Sequence, residues 1–276
     1  IAWYENDGSE GFTKIDITTA ASSARSVYAA DVDGDGDMDV LSASENDNTI
    51  AWYENDGSEG FTKIDITTSA NGARSVYAAD VDGDGDMDVL SASLSDDTIA
   101  WYENDGNEGF TKIDITTAAD GARSVYAVDI DGDGDMDVLS ASDPDDTIAW
   151  YENDGSEGFT KIDISTAADA AYSVYAADVD GDGDMDVLSA SFNDDTIAWY
   201  ENDGSGGFTK IDITTSADGA RSVYAADVDG DGDIDVLSAS LWDNTIAWYE
   251  NDGSESFTKI DITTSANGAV SVYAVD

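Results

Sequence analysis

The sequence predicts an all-β fold, a β-propeller built from four-stranded blades. Three observations lead there. A 49-residue unit recurs along the 276-residue chain, starting at residues 1, 50, 99, 148 and 197, with a partial copy over 246–276. Each unit holds four short runs rich in Val, Ile, Thr and aromatic residues, bounded by Gly, Asp, Asn and Ser. No stretch carries an apolar 3.6-residue period long enough for a helix. A four-stranded unit of this length, covered on both faces by its own copies, is a propeller blade; the coils of a β-solenoid are usually shorter.

The first strand of a unit is read over 26–32 and the second over 38–44. The third, over 50–55, sends Trp52 to one face and Tyr53 to the other, so both faces need cover. The fourth runs over 61–67, reached through Asp56-Gly57-Ser58-Glu59-Gly60, a hairpin loop. The small Ala29 and Ala30 suit a crowded inner strand. The recurring Trp at 3, 52, 101, 150, 199 and 248 is assigned to packing between blades. No linker breaks the array, so 1–276 reads as one domain. The sequence has six third and six fourth strands but five second strands. A first strand at 271–276 that joins the N-terminal pair, 1–6 and 12–18, closes a six-bladed ring; seven blades need more chain. The chain opens on Ile1, as expected for a processed product or a piece of something longer.

Composition removes many chemistries. There is no Cys and no His, which excludes disulfides, zinc-thiolate sites and triads based on imidazole or thiol. With 62 Asp and Glu against 10 Lys and Arg, the net charge of -52 repels nucleic-acid phosphates and anionic lipid. Hydrophobic residues at 41% exclude a solvated polyanionic tail, and the longest apolar runs are too short to span a membrane as a helix.

The chemistry is concentrated between the first and second strands. Five copies of one loop carry carboxylates at positions 1, 3, 5, 7 and 9. These are Asp31, Asp33, Asp35, Asp37 and Asp39; Asp80, Asp82, Asp84, Asp86 and Asp88; Asp129, Asp131, Asp133, Asp135 and Asp137; Asp178, Asp180, Asp182, Asp184 and Asp186; and Asp227, Asp229, Asp231, Asp233 and Asp235. Asp276 opens a sixth copy. Acidic positions 1, 3 and 5 with Gly at 6 begin a calcium-binding loop, the glycine permitting the sharp turn. An EF-hand is excluded, because position 12 is Ser42 and the flanks are β-like. Position 9 then replaces the missing Glu. Position 7 is expected to offer its backbone carbonyl, with the Asp37 side chain free to face solvent. Calcium fits better than magnesium because the ligands are many, flexible and all oxygen; zinc and copper lack their usual donors. One Ca2+ per complete loop gives five.

The motif DxDGDGxxD, set between two strands once per blade, resembles the FG-GAP or VCBS repeat of integrin-α-like propellers. The resemblance covers all five full units and most of the sixth. By that resemblance Asp31, Asp33, Asp35 and Asp39 match the side-chain ligands and Asp37 the carbonyl position, and the other loops match likewise. Near the fourth strand the chain reads Gly11-Phe12, which places it with the VCBS type. The family implies a secreted or surface calcium-stabilised propeller used in adhesion or sugar binding.

The first two units differ at six of 49 positions. Variation collects in the loop between second and third strands and in the connector between blades. In an up-down blade these lie on the face opposite the acidic loops, and Tyr172, Phe192 and Trp242 are aromatic there. They are candidate contacts for a protein or glycan ligand. The Lys of each unit, with Arg25, Arg74, Arg123 and Arg221, is expected to pair with nearby carboxylates. The leading function is an extracellular, non-catalytic binding or adhesion scaffold, with a lectin as the narrower alternative. An enzyme using two carboxylates is disfavoured because every candidate recurs in each unit. The near-identical repeats also invite strand exchange between chains.

Overall fold

The computed structural model describes residues 1–9 and 11–275, and every element among them is a strand or a turn. Asp276, the start of the sixth acidic loop, lies outside the described residues. The first sheet has two strands, β1 (Ala2–Asn6) and β2 (Phe12–Asp16). Five four-stranded antiparallel sheets follow, each in sequential order. The first is β3 (Ala24–Ala30), β4 (Asp39–Ser44), β5 (Thr49–Asn55) and β6 (Phe61–Thr67). The second is β7 (Ala73–Ala79), β8 (Asp88–Ser93), β9 (Thr98–Asn104) and β10 (Phe110–Thr116), and the third is β11 (Ala122–Val128), β12 (Asp137–Ser142), β13 (Thr147–Asn153) and β14 (Phe159–Ser165). The fourth is β15 (Ala171–Ala177), β16 (Asp186–Ser191), β17 (Thr196–Asn202) and β18 (Phe208–Thr214), and the last is β19 (Ala220–Ala226), β20 (Asp235–Ser240), β21 (Thr245–Asn251) and β22 (Phe257–Thr263). This is the meander of propeller blades, matched to the repeat.

Two compact units emerge, Ile1–Asp80 with Asp84–Thr117, and Val81–Gly83 with Ala118–Asp276. In the first unit Leu41, Ile50 and Trp52 of one blade pack on Val76, Val89 and Tyr102 of the next. Trp52 meets Phe110 edge-on at 6.2 Å. In the second unit Trp150 packs with Tyr200 and Trp199 with Tyr249. Alternation along the third strand thus places Trp on one face and Tyr on the other, and within each compact unit a blade closes its neighbour's core.

Strand limits differ slightly from the sequence reading. β3 begins at Ala24 and stops at Ala30, because the Val32 N–H turns away to the Asp39 carboxylate at 3.1 Å. The strand expected over 271–276 is absent from its described residues. Residues 271–275 carry no strand, since the sequence has no sixth second strand to pair with them. They still lie against the preceding blade as inner strands do. The Val272 N–H donates to Ser222 Oγ at 3.3 Å, and the Tyr273 ring lies 4.6 Å from Tyr224. Val174 and Ser124 make the same bond at 3.4 Å.

Candidate metal centre

In the first unit, one carboxylate oxygen each from Asp31, Asp33 and Asp39 lies within 4.8 Å of the others. In the second unit Asp129, Asp131 and Asp137 do the same, as do Asp227, Asp229 and Asp235. The fourth loop gathers Asp178, Asp180 and Asp182 instead. Positions 1, 3 and 9 therefore converge in three of these loops. Position 5 joins only through Asp182; in every loop, that one included, its carboxylate also caps the turn, as where Asp35 accepts from the Asp37 N–H and Asp182 from the Asp184 N–H, both at 2.9 Å. The second loop is divided between the units. Within the first unit Asp80 accepts from the Gly85 N–H at 3.1 Å, Asp84 from the Asp86 N–H at 2.9 Å, and Asp88 from the Asn104 N–H at 2.7 Å. Asp82 is exposed.

The loops are preformed by their own backbone. Gly36, at φ 98°, donates its N–H to Asp31 Oδ2 at 3.0 Å, and no side chain larger than glycine reaches that conformation cheaply. Asp39 anchors the far end. It is 1% exposed and accepts from the Val32 and Asn55 N–H groups at 3.1 and 2.7 Å.

Charge is costly here. Burial pushes the Asp39 carboxyl above its ordinary range; the Asn55 and Val32 donors, and the Trp52 indole nearby, offset part of that. Burial pushes Asp137 and Asp186 up to about 6 in the same way. Carboxylates 4.8 Å apart repel by roughly 3 kcal/mol per pair at an effective dielectric of about 20, before screening. Asp31 Oδ1 is shut off from solvent and has no hydrogen-bond partner. An all-oxygen acidic cluster with an orphaned inward oxygen fits a hard divalent cation.

Asp37 is not free to face solvent. It packs beneath the next hairpin, where a Cβ on Gly57 (φ 67°) would overlap its carboxylate. Asp135, Asp184 and Asp233 sit likewise under Gly155, Gly204 and Gly253. The acidic loop and the Asp-Gly hairpin therefore share one face of each blade. The variable loop and the connector share another place, since the Phe192 N–H donates to the Ala170 carbonyl at 2.9 Å and Trp242 to Asp218 at 3.1 Å.

That variable face, within the second unit, gathers the three predicted aromatics. Tyr172 lies 5.0 Å from Phe192, and Phe192 lies 4.5 Å edge-on from Trp242. The Arg123 and Arg221 guanidiniums flank the Tyr172 ring at 3.9 and 4.3 Å. Tyr172 and Phe192 are half-buried by this packing, whereas Trp242 is 56% exposed. Arg123 also meets Asp143, and other cations pair as expected: Arg25 and Arg74 share Glu45, and Lys63 meets Asp65.

Sequence reasoning missed one side chain, the Asn that closes each third strand. Asn104, Asn153, Asn202 and Asn251 are all buried and touch the acidic loops. The signal was available: Glu-Asn-Asp-Gly is unchanged in every copy, though its loop position made it look like turn chemistry alone.

A model of the FG-GAP-like repeat matches residues 1–42, 31–91, 83–140, 129–189, 178–238 and 227–276. A search of curated proteins finds no match. Among solved structures, the chain is similar to an Agrocybe aegerita lectin described as recognising non-reducing terminal N-acetylglucosamine, at 18% identity and TM-score 0.67, covering 96% of this chain and 75% of that one. It is also similar to the V. cholerae biofilm matrix protein Bap1, at 20% identity and TM-score 0.56, covering 91% and 41%. A third is the rhamnogalacturonan lyase YesW, at 16% identity and TM-score 0.53, covering 88% and 50%. The chain thus spans about two-fifths of Bap1 and half of the lyase. At these identities the likeness is one of fold.

Proposed function

The chain belongs to the FG-GAP-like repeat family, and from that membership we propose that it is a calcium-stabilised binding scaffold that works outside the cell without catalysis. The observation that carries this reading is the acidic loop. In the first loop it brings three carboxylate oxygens within 4.8 Å of one another and leaves Asp31 Oδ1 without a hydrogen-bond partner, and the motif recurs five times. Bound Ca2+ would supply the charge that makes those carboxylates tolerable together. Asp31, Asp33 and Asp39, with their counterparts, are the residues that would hold it. Millimolar extracellular calcium matches the affinity range of such modules. Among the described residues no helix is long and apolar enough to cross a membrane. The loop carboxylates recur from unit to unit, and the unrepeated Glu45 and Asp143 are held in ion pairs with arginines, which argues against a single catalytic centre.

The ligand would be a protein or a glycan met by the variable face. Trp242 favours the glycan reading: it is an exposed indole beside Phe192, and aromatic faces stack on sugar rings. The lectin and biofilm-matrix relatives in fold are consistent with that choice. Two measurements test the proposal. Calorimetric titration with CaCl2 should give five sites per chain, and no binding overturns the calcium reading. A glycan array should register binding that Trp242→Ala removes while stability stays within about 0.5 kcal/mol. An array without signal, together with capture of a protein partner, overturns the lectin reading.

A further inference from the structure

The missed Asn residues form a connection from one acidic loop to the next. In the second unit Asn202 sits between two loops and is 2% exposed. Its Nδ2 donates to the carbonyl of Ile130, position 2 of the loop before, at 3.1 Å. The same nitrogen donates to the Met185 carbonyl in its own blade's loop at 3.0 Å. Its backbone N–H donates to Asp186 Oδ1 at 2.7 Å. Asp186 Oδ2 accepts from the Val179 N–H at 3.0 Å. Val179 then repeats the pattern, its carbonyl receiving Asn251 Nδ2 at 3.1 Å, and Asn251 donates its backbone N–H to Asp235 at 2.8 Å. At the other end the Ile130 N–H reaches Asp137 at 3.0 Å. Asp137, Asp186 and Asp235 are thereby joined by an unbroken run of hydrogen bonds. The first unit shows one step of it, where Asn104 Nδ2 donates to the Val32 carbonyl at 3.1 Å.

We infer that these asparagines couple the metal sites, so that calcium binds cooperatively along the blades. The inference rests on the calcium reading above and adds a role for residues outside the ligand set. Position 2 stands between ligands 1 and 3. Clamping Ile130 therefore restrains Asp129 and Asp131 together. A cation that orders one loop also fixes the carbonyl that the next blade's Asn holds. That Asn in turn aims the ninth-position carboxylate of its own loop. The ordering cost of the second loop is partly met before its ion arrives, which is positive coupling without a large movement. Electrostatics opposes it, because each bound cation lowers the negative field for the next. At about 0.15 M salt the Debye length is about 8 Å, so the opposing effect is screened while the buried hydrogen bonds persist.

Asn55 provides a matched control. It makes the same bonds to its own loop, to Asp39 at 2.7 Å and the Met38 carbonyl at 3.0 Å. Among the described residues its side chain donates to no other blade's loop. The experiment is calorimetric titration of the intact chain with CaCl2 in 0.15 M NaCl. The parent should bind with a Hill coefficient above 1. Asn202→Ala should lower that coefficient and weaken neighbouring sites about five-fold or more, whereas Asn55→Ala should leave it unchanged. Full binding with a parent Hill coefficient of 1 or less overturns the coupling and leaves the calcium reading intact, and this arm needs no variant to fold. Cooperativity that survives Asn202→Ala combined with Asn251→Ala, in protein shown folded by circular dichroism, also overturns it. Absence of calcium binding overturns the calcium reading and the coupling with it.

Discussion

Removing calcium is the perturbation with the largest predicted consequence. Extracellular calcium modules bind at roughly 0.1 to 1 mM, so 10 mM calcium is roughly 10 to 100 times the dissociation constant. Each site then contributes roughly 1.4 to 2.7 kcal/mol to a chain that binds only when folded. Five loops sum to roughly 7 to 14 kcal/mol for an array that unfolds in one step. A chain of this length shifts by about 2 °C per kcal/mol, so chelation should lower the melting temperature by roughly 14 to 28 °C. Asp186→Asn should remove about one-fifth of that shift. In chelator it should cost a further 1 to 3 kcal/mol or so, because the Asn202 or Val179 N–H would face an amide NH2 instead of a carboxylate. The assay is differential scanning calorimetry in 10 mM CaCl2 and in EDTA, with bound metal measured by emission spectroscopy. A shift below about 3 °C with the metal shown to be gone would refute the reasoning. So would an equal shift produced by NaCl at matched ionic strength, since that would make the loops a screened charge cluster and not a site.

Trp199→Ala should cost about 3 to 5 kcal/mol in urea unfolding, because the ring is 0% exposed and packs on the next blade; a loss under about 1 kcal/mol would contradict that packing. Gly57→Ala should cost more than Gly8→Ala. Both glycines have φ near 70°, but a Cβ at 57 overlaps Asp37 whereas one at 8 meets nothing within 4 Å. Equal melting temperatures for the two variants would remove Asp37 from beneath the hairpin. In alkali, burial pushes the Tyr102 and Tyr151 hydroxyls up to about 12 from an ordinary 10.0. A tyrosine raised on folding stabilises fully below its unfolded value, so stability should fall as pH rises from about 10 to about 12. Ultraviolet titration should resolve these phenols as a late-ionising set that coincides with unfolding. A single early titration with the fold intact would contradict their burial.

Much of this molecule was legible from one unit of sequence. The 49-residue period, strand alternation and turn residues set the four-stranded blade and its strand order, because side-chain direction in a strand has period two whatever the surroundings. Asp31, Asp33 and Asp39 were legible as a cluster because glycine at loop position 6 dictates the turn that gathers them. The assignment of Trp52 to blade packing followed from the same alternation.

What lay beyond the sequence depended on neighbours distant along the chain. Asn104 reaches Val32 across 72 residues, and Asp37 is covered by a hairpin that the local pattern treats as independent. Arg221 has a contact that the local pattern does not announce: tertiary packing places its guanidinium over Tyr172 and Phe192. The strand expected over 271–276 is absent from its described residues for the same reason, since a strand is completed by its partner and local propensity cannot supply one. Sequence by itself determined the repeating unit and its acidic turn, because both are set by short-range backbone and side-chain geometry. Only the tertiary structure decided which blade each turn answers to, because hydrogen bonds and ring contacts between units depend on how separate sheets come to face each other.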